Sequence, residues 1–324
     1  MHCVKPDLSR VLPGERRGVG MPKYVESLQT IMLATDFSDA SHGALSYARQ
    51  LAGRSSARLL VVHVVDPSIL QLTSPAGSAG LCELLNSAED ELQKISVSLS
   101  HDSIRNATIA RHGNIRETIL GLIRERNVDL LVIGTRGKGY KNGEGLGSVA
   151  EMLLRAMPCP VLTVGKGVRQ DAFEATHRRR VLFPTDFSET SRAAVAYAEH
   201  LTRHLAGHML LLHVEESSAV SLAARPPGQR EGFEAIANEM KDPSLVSEYI
   251  TRTGVPANEI VTVASEKHVD FVVLGVHVGD PAGGTHPNGI AYDVIRLAKC
   301  PVFTLCPVSQ KKAAEPNLQA TASD

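Results

Sequence analysis

The sequence predicts an α/β protein made of two tandem doubly wound domains, each a parallel sheet with strand order 3-2-1-4-5. Short β-branched apolar runs alternate with segments of helical period throughout, which is the pattern of βα units around a parallel sheet. The pattern also occurs twice. Thr35-Asp36-Phe37-Ser38 closes one apolar run and Thr185-Asp186-Phe187-Ser188 closes another. Leu60-Val61-Val62-His63-Val64 returns as Leu211-Leu212-His213-Val214, and the run from Val128 to Gly134 returns as Val269 to Gly275. Cys159-Pro160-Val161 returns as Cys300-Pro301-Val302. A repeat of this kind sets the domain count, and 324 residues accommodate two domains of ~100–200 residues.

Taken in order, the first copy should hold strands near 29–35, 59–65, 107–111, 128–134 and 160–165. Ala44, Leu45, Ala48, Leu51 and Ala52 recur at helical spacing between the first two strands, with Ser38 placed as N-cap and Gly53 as a stop signal. A second helix is expected around 81–100. Ile115, Thr118, Ile119, Leu122 and Ile123 form the core face of a third, and Ser148 to Met157 forms a fourth. The second copy repeats the order, with strands near 180–185, 208–214, 247–252, 269–275 and 301–306. Its stretch 216–243, which contains Pro226-Pro227-Gly228, is the least readable part. The later landmarks of the two copies lie closer together than the early ones, so the second copy has lost residues after its second strand. Residues 1–24 read as a leader (with Met21 as an alternative start), 25–167 and 180–307 as the two domains, 168–179 as a linker, and 308–324 as a polar disordered tail.

Composition narrows the partners. Net charge is −1, with 34 basic and 35 acidic residues, so no basic surface argues for nucleic acid. Aromatic residues make up 4% and Trp is absent, which removes a base-stacking platform. Five scattered cysteines suit a reducing cytoplasm. No apolar run approaches the ~18 residues of a membrane span, and the leader has basic residues but no apolar stretch for a signal peptide.

In doubly wound sheets, ligands bind outside the carboxyl ends of the strands where strand order reverses. If strand order is 3-2-1-4-5, that point lies between the ends of strand one, at Asp36, and strand four, at Gly134. The loop after strand four, Gly134 to Ser148, is rich in glycine, so its backbone N–H groups can approach an anion without an intervening Cβ. Gly147-Ser148 then opens a helix, whose N-terminus adds free donors and a positive dipole end. Arg136, Lys138 and Lys141 stand against Glu144, and Asp36 can accept ribose hydroxyls or help hold a divalent ion. Neither a P-loop nor a dinucleotide fingerprint fits, since Tyr140 and Asn142 occupy the decisive positions. The spacing that holds is Gly134-x2-Gly137-x9-Gly147-Ser148.

This spacing, together with Thr-Asp-Phe-Ser, the His-Val strand and the Cys-Pro-Val strand, resembles the ATP-binding signature of the universal stress protein family. The resemblance covers nearly the whole chain as two copies. It implies a Rossmann-like, adenine nucleotide alpha hydrolase-like fold. It also implies an adenine and ribose site at Thr35, Asp36 and Val64, flanked by Ala34 and Ile133. Triphosphate contacts are implied at Gly134, Arg136, Gly137, Gly147, Ser148 and Val149, with Mg²⁺ accompanying ATP. Family members pair through the last strand, so the two Cys-Pro-Val strands are expected to associate, with a homo-oligomer as a further option.

The second copy has Gly275-Val276-His277-Val278 and Asn288-Gly289 in place of the signature, and its loop carries Asp280 without Lys or Arg. ATP is therefore expected in the N-terminal domain only. His63 and His213 read as satisfied strand-end residues, Asp186 as a turn residue, and Cys159 and Cys300 as small buried residues. His277, Asp280 and His286 lack metal-site spacing. No nucleophile, acid–base pair or metal motif accompanies the loop, so the reading is a nucleotide-dependent stress or signalling protein without fast catalysis. A slow ATP-hydrolysing or adenylating enzyme of the same fold and a nucleotide-free interaction scaffold stay open as alternatives.

Overall fold

The computed structural model describes residues 28–67, 77–137, 145–156, 159–165, 168, 178–216, 228–276 and 289–306. In the first half these form β1 (Thr30–Ala34), α1 (Asp39–Ser55), β2 (Arg58–Val65), α2 (Gly77–His101), β3 (Asn106–His112), α3 (Ile115–Glu125), β4 (Leu130–Gly134), α4 (Ser148–Ala156) and β5 (Val161–Val164). The second half has β6 (Arg180–Pro184), α5 (Glu189–His204), β7 (His208–Glu215), α6 (Gln229–Glu239), a 3₁₀ turn at Pro243–Leu245, β8 (Val246–Thr253), α7 (Pro256–Glu266), β9 (Phe271–Gly275), α8 (Ile290–Leu297) and β10 (Val302–Leu305). The expected leader and tail lie outside the described residues, as does most of the expected linker.

Strand order is β3-β2-β1-β4-β5-β10-β9-β6-β7-β8, one sheet of ten strands. Each half is parallel with the predicted 3-2-1-4-5 order. The halves meet at β5 and β10, which pair antiparallel with Val302 opposite Thr163 and Thr304 opposite Val161. The expected association of the two Cys-Pro-Val strands is this junction. Thr163 and Thr304 are 1% exposed. Thr163 Oγ1 donates to Val302 O at 3.1 Å and Thr304 Oγ1 to Val161 O at 3.3 Å, so both buried hydroxyls are satisfied across the junction.

Side chains alternate between sheet faces, and the core divides accordingly. Ile31, Leu33, Val132, Leu162, Val181 and Phe303 face one way and pack with α1, α2, α5 and α6 into one apolar layer spanning both halves. On the other face, Met32, Val62 and Ile133 pack with α3 and α4, while Leu182, Leu212 and Leu274 pack with α7 and α8. Strand ends clamp similarly in each half. Asp129 Oδ2 accepts from Gln29 N and Thr30 N at 2.9 and 2.8 Å, and Asp270 Oδ2 accepts from Arg180 N at 2.8 Å. These two aspartates, expected inside strands four and nine, sit just before them.

Two expectations about helices change. Gly53 does not stop α1, which runs to Ser55 and ends where Ser56 takes a left-handed conformation, φ 53°; a single Gly near a helix end costs too little to terminate it. The stretch 216–243 contains α6, which buries Phe233, Ile236 and Ala237. Proline and glycine just upstream masked its period.

Candidate functional site

The site begins with a turn that occurs twice. After β1, Thr35 Oγ1 accepts from Phe37 N at 3.0 Å, Asp36 Oδ1 accepts from Ser38 N at 3.1 Å and Ser41 Oγ at 2.6 Å, and Ser38 Oγ accepts from Ser41 N. These bonds hold Phe37 at φ 58°, an uncommon conformation for an aromatic residue. After β6, Thr185, Asp186, Ser188 and Ser191 make the same bonds around Phe187 at φ 62°. Burial pushes the Asp186 carboxyl up, but hydrogen bonds from Ser188 and Ser191 outweigh it and hold the group below its ordinary value. Thr-Asp-Phe-Ser is thus a turn-building motif in both copies. Asp36 Oδ1 thus accepts two bonds within that turn.

The histidines also repeat. His63 Nδ1 lies 2.8 Å from Thr35 O and its ring stacks on Phe37 at 4.6 Å; His213 Nδ1 lies 2.9 Å from Thr185 O and stacks on Phe187 at 4.2 Å. With Nδ1–H donating to the carbonyl, each ring is fixed by the turn it supports.

Glycines after β4 have distinct roles. A Cβ on Gly134 would meet Ala40 C at 2.9 Å, and one on Gly275 would meet Ala194 Cβ at 2.7 Å. Both positions are needed for close packing of a strand end on the helix that follows the neighbouring strand, β4 on α1 and β9 on α5, which explains why Gly275 persists in the second copy. Gly137 differs: a Cβ there would fall on Asp36 Oδ2, so glycine brings this loop against the end of β1. Gly147 N donates to Thr135 O at 2.8 Å, and Gly147 O accepts from Glu151 N at 3.0 Å. Gly147 therefore sets the start of α4, whose first N–H groups, on Ser148, Val149 and Ala150, have no partner inside the helix.

All eleven residues expected at the site line one cavity of about 710 Å³: Ala34, Thr35, Asp36, Val64, Ile133, Gly134, Arg136, Gly137, Gly147, Ser148 and Val149. The cavity opens between the ends of β1 and β4, where the strand order reverses. Lys138, Lys141 and Glu144 lie outside the described residues, as do His277, Val278, Asp280, His286 and Asn288. Sequence reasoning missed the opposite wall. Leu84, Ser87, Ala88 and Glu91 of α2 line it, with Asp66 after β2. The signal was the length difference between the copies: α2 has 25 residues and its counterpart α6 has 11. In the second half, Gly232 of α6 lies against the Phe187 ring, and Phe233 packs on the same ring edge-on at 5.2 Å.

The described walls are polarised. Arg136 and the amides of α4 lie at one side, and Asp66 and Glu91 at the β2–α2 side. Among the described residues no group of three or more His, Cys, Asp or Glu could hold a metal ion, and no helix is long and apolar enough to cross a membrane. Cys159 is buried, which pushes its thiol up to about 12.

Comparison with known proteins places this architecture. The model of the universal stress protein family matches twice, over residues 27–165 and 177–305. A universal stress protein of Thermus aquaticus is 35% identical over 136 residues, covering 42% of this chain and 98% of that one. A universal stress protein of Mycobacterium bovis is 24% identical over 316 residues, covering 84% of this chain and 93% of its own. Among solved structures, a universal stress protein from Archaeoglobus fulgidus shares the fold with a TM-score of 0.67 at 20% identity, covering 86% of this chain and 98% of that one. The chain belongs to the universal stress protein family, as a tandem of two family domains.

Proposed function

We propose that this protein binds ATP, with Mg²⁺, in its N-terminal half only, and that nucleotide occupancy sets its conformation or partner choice in a stress or signalling response without fast catalysis. The observation that supports this reading most is the convergence of Gly137, Arg136 and the free amide end of α4 on the cavity beside Asp36. A volume of about 710 Å³ lies within the ~300–1,000 Å³ common for ligand sites. Phosphates fit the side with Arg136 and the N–H groups of Ser148, Val149 and Ala150, where the helix end favours negative charge. Thr35, Val64 and the Asp36 carboxylate would receive the nucleoside. Asp66 and Glu91, the latter paired with Lys94 at 2.7 Å, are acceptors on the other wall that suit hydroxyl groups. Mg²⁺ would be held mainly by the phosphates and water, as is usual for this ion.

The second half supports no such reading. Its loop sequence replaces Gly137 with Val278 and carries Asp280 without Lys or Arg. Calorimetry of MgATP with the full chain should give one equivalent bound, and hydrolysis should stay far below ~1 per second. Two equal sites would overturn the asymmetry, ordinary enzyme turnover would favour the enzyme alternative, and no binding would leave the scaffold.

A further inference from the structure

The residue that precedes cavity-lining Gly147 is held by the other half of the chain. Leu146 immediately precedes Gly147 and is 6% exposed. Its side chain belongs to the apolar cluster of the second half, with Val294, Ile295 and Val302. Its N–H donates to the Tyr292 hydroxyl at 3.3 Å, and Tyr292 itself packs on that cluster from α8. Side chain and backbone of one residue are thus fixed independently by the C-terminal half.

The arrangement is not reciprocal. The repeat spacing that relates Gly134 to Gly275 relates Tyr292 to Glu151 and Leu146 to Pro287. Glu151 is engaged with Arg155 on its own helix at 2.7 Å, and proline has no N–H to donate. The half that has lost the signature therefore carries the anchor, and the half that keeps the signature receives it.

We propose that Tyr292 is a positioning residue for the N-terminal nucleotide site: its hydroxyl fixes the backbone of Leu146, and so the N–H groups of Ser148 and Val149 that would meet the phosphates. The second domain then acts as a fixed support for the first domain's loop. Ligand binding and the contact between α8 and this loop are coupled, and by linkage each strengthens the other. This rests on the ATP reading above.

The test uses the full chain and Tyr292→Phe, which removes the hydroxyl and keeps the ring. Loss of one hydrogen bond at a binding loop is expected to weaken MgATP about twofold to tenfold in calorimetry, with the ligand-free melting temperature held within about 2 °C. In the ligand-free protein, amide hydrogen exchange across residues 145–149 should quicken in the variant. An unchanged affinity overturns the proposal, as does unchanged exchange. A lowered melting temperature with unchanged affinity assigns Tyr292 to stability alone and also overturns it. If the wild-type protein binds no ATP, the nucleotide reading fails and this role falls with it, while the exchange measurement still reports whether the anchor exists.

Discussion

Gly137 is the residue where the loop, the turn and the cavity meet. The carboxylate it would strike is not a loose surface group: Asp36 Oδ1 already holds Ser38 N and Ser41 Oγ. Gly137→Val therefore has two consequences. The displaced carboxylate unsettles the start of α1, at about 1–3 kcal/mol of stability. The loop also backs away from β1, and MgATP affinity should fall by at least about tenfold, which is more than ~1.4 kcal/mol of binding. Ser148→Ala separates these effects, since its side chain contributes nothing to the turn. It should weaken binding with little change in melting temperature. Calorimetry and thermal melts on both variants check the pair, and equal melting temperatures for the two would contradict the Asp36 contact.

At the scale of elements, the sequence revealed what repeats and concealed what does not. Strand positions followed from β-branched runs seen twice, whereas the strand order and the eleven cavity residues came with the family resemblance that the glycine spacing and the repeated motifs carried. The sequence presents Asp36 as a ligand group and Ser38 as a cap; in the structure both also serve one turn, a division of labour that one-residue reasoning cannot separate. The wall formed by α2 left only an indirect trace, because Leu84, Ser87 and Ala88 look like any amphipathic helix. Ser87 is exposed and lines the cavity, so Ser87→Trp places bulk at the cavity mouth without touching the core. Such surface changes usually stay within about 0.5 kcal/mol of stability, while MgATP affinity should drop about tenfold. Full affinity in this variant would show that the ligand does not use the α2 wall.

Across the whole molecule, the two copies are not beads on a string. One apolar layer runs from α2 through α1 and α5 to α6, and its continuity depends on the junction of β5 and β10. Tyr47 of α1 meets Phe271 of β9 edge-on at 5.9 Å, so rings from different halves share the layer. Separating the halves would expose this face and both junction strand edges. Thermal unfolding of the intact chain should therefore be one cooperative transition. The threonine pair tests the coupling more finely. Thr163→Val and Thr304→Val keep the side-chain volume and remove the two hydroxyl bonds across the junction. Each should cost about 0.5–1.5 kcal/mol, seen as a fall in melting temperature on the order of 2 °C per kcal/mol in a chain of this size. Because the buried layer remains, even the double variant should melt in a single transition, with the two substitutions partly coupled through their shared strand pair. Two resolved transitions, one shifted and one not, would mean that the halves fold independently and that the shared layer does not bind them into one unit.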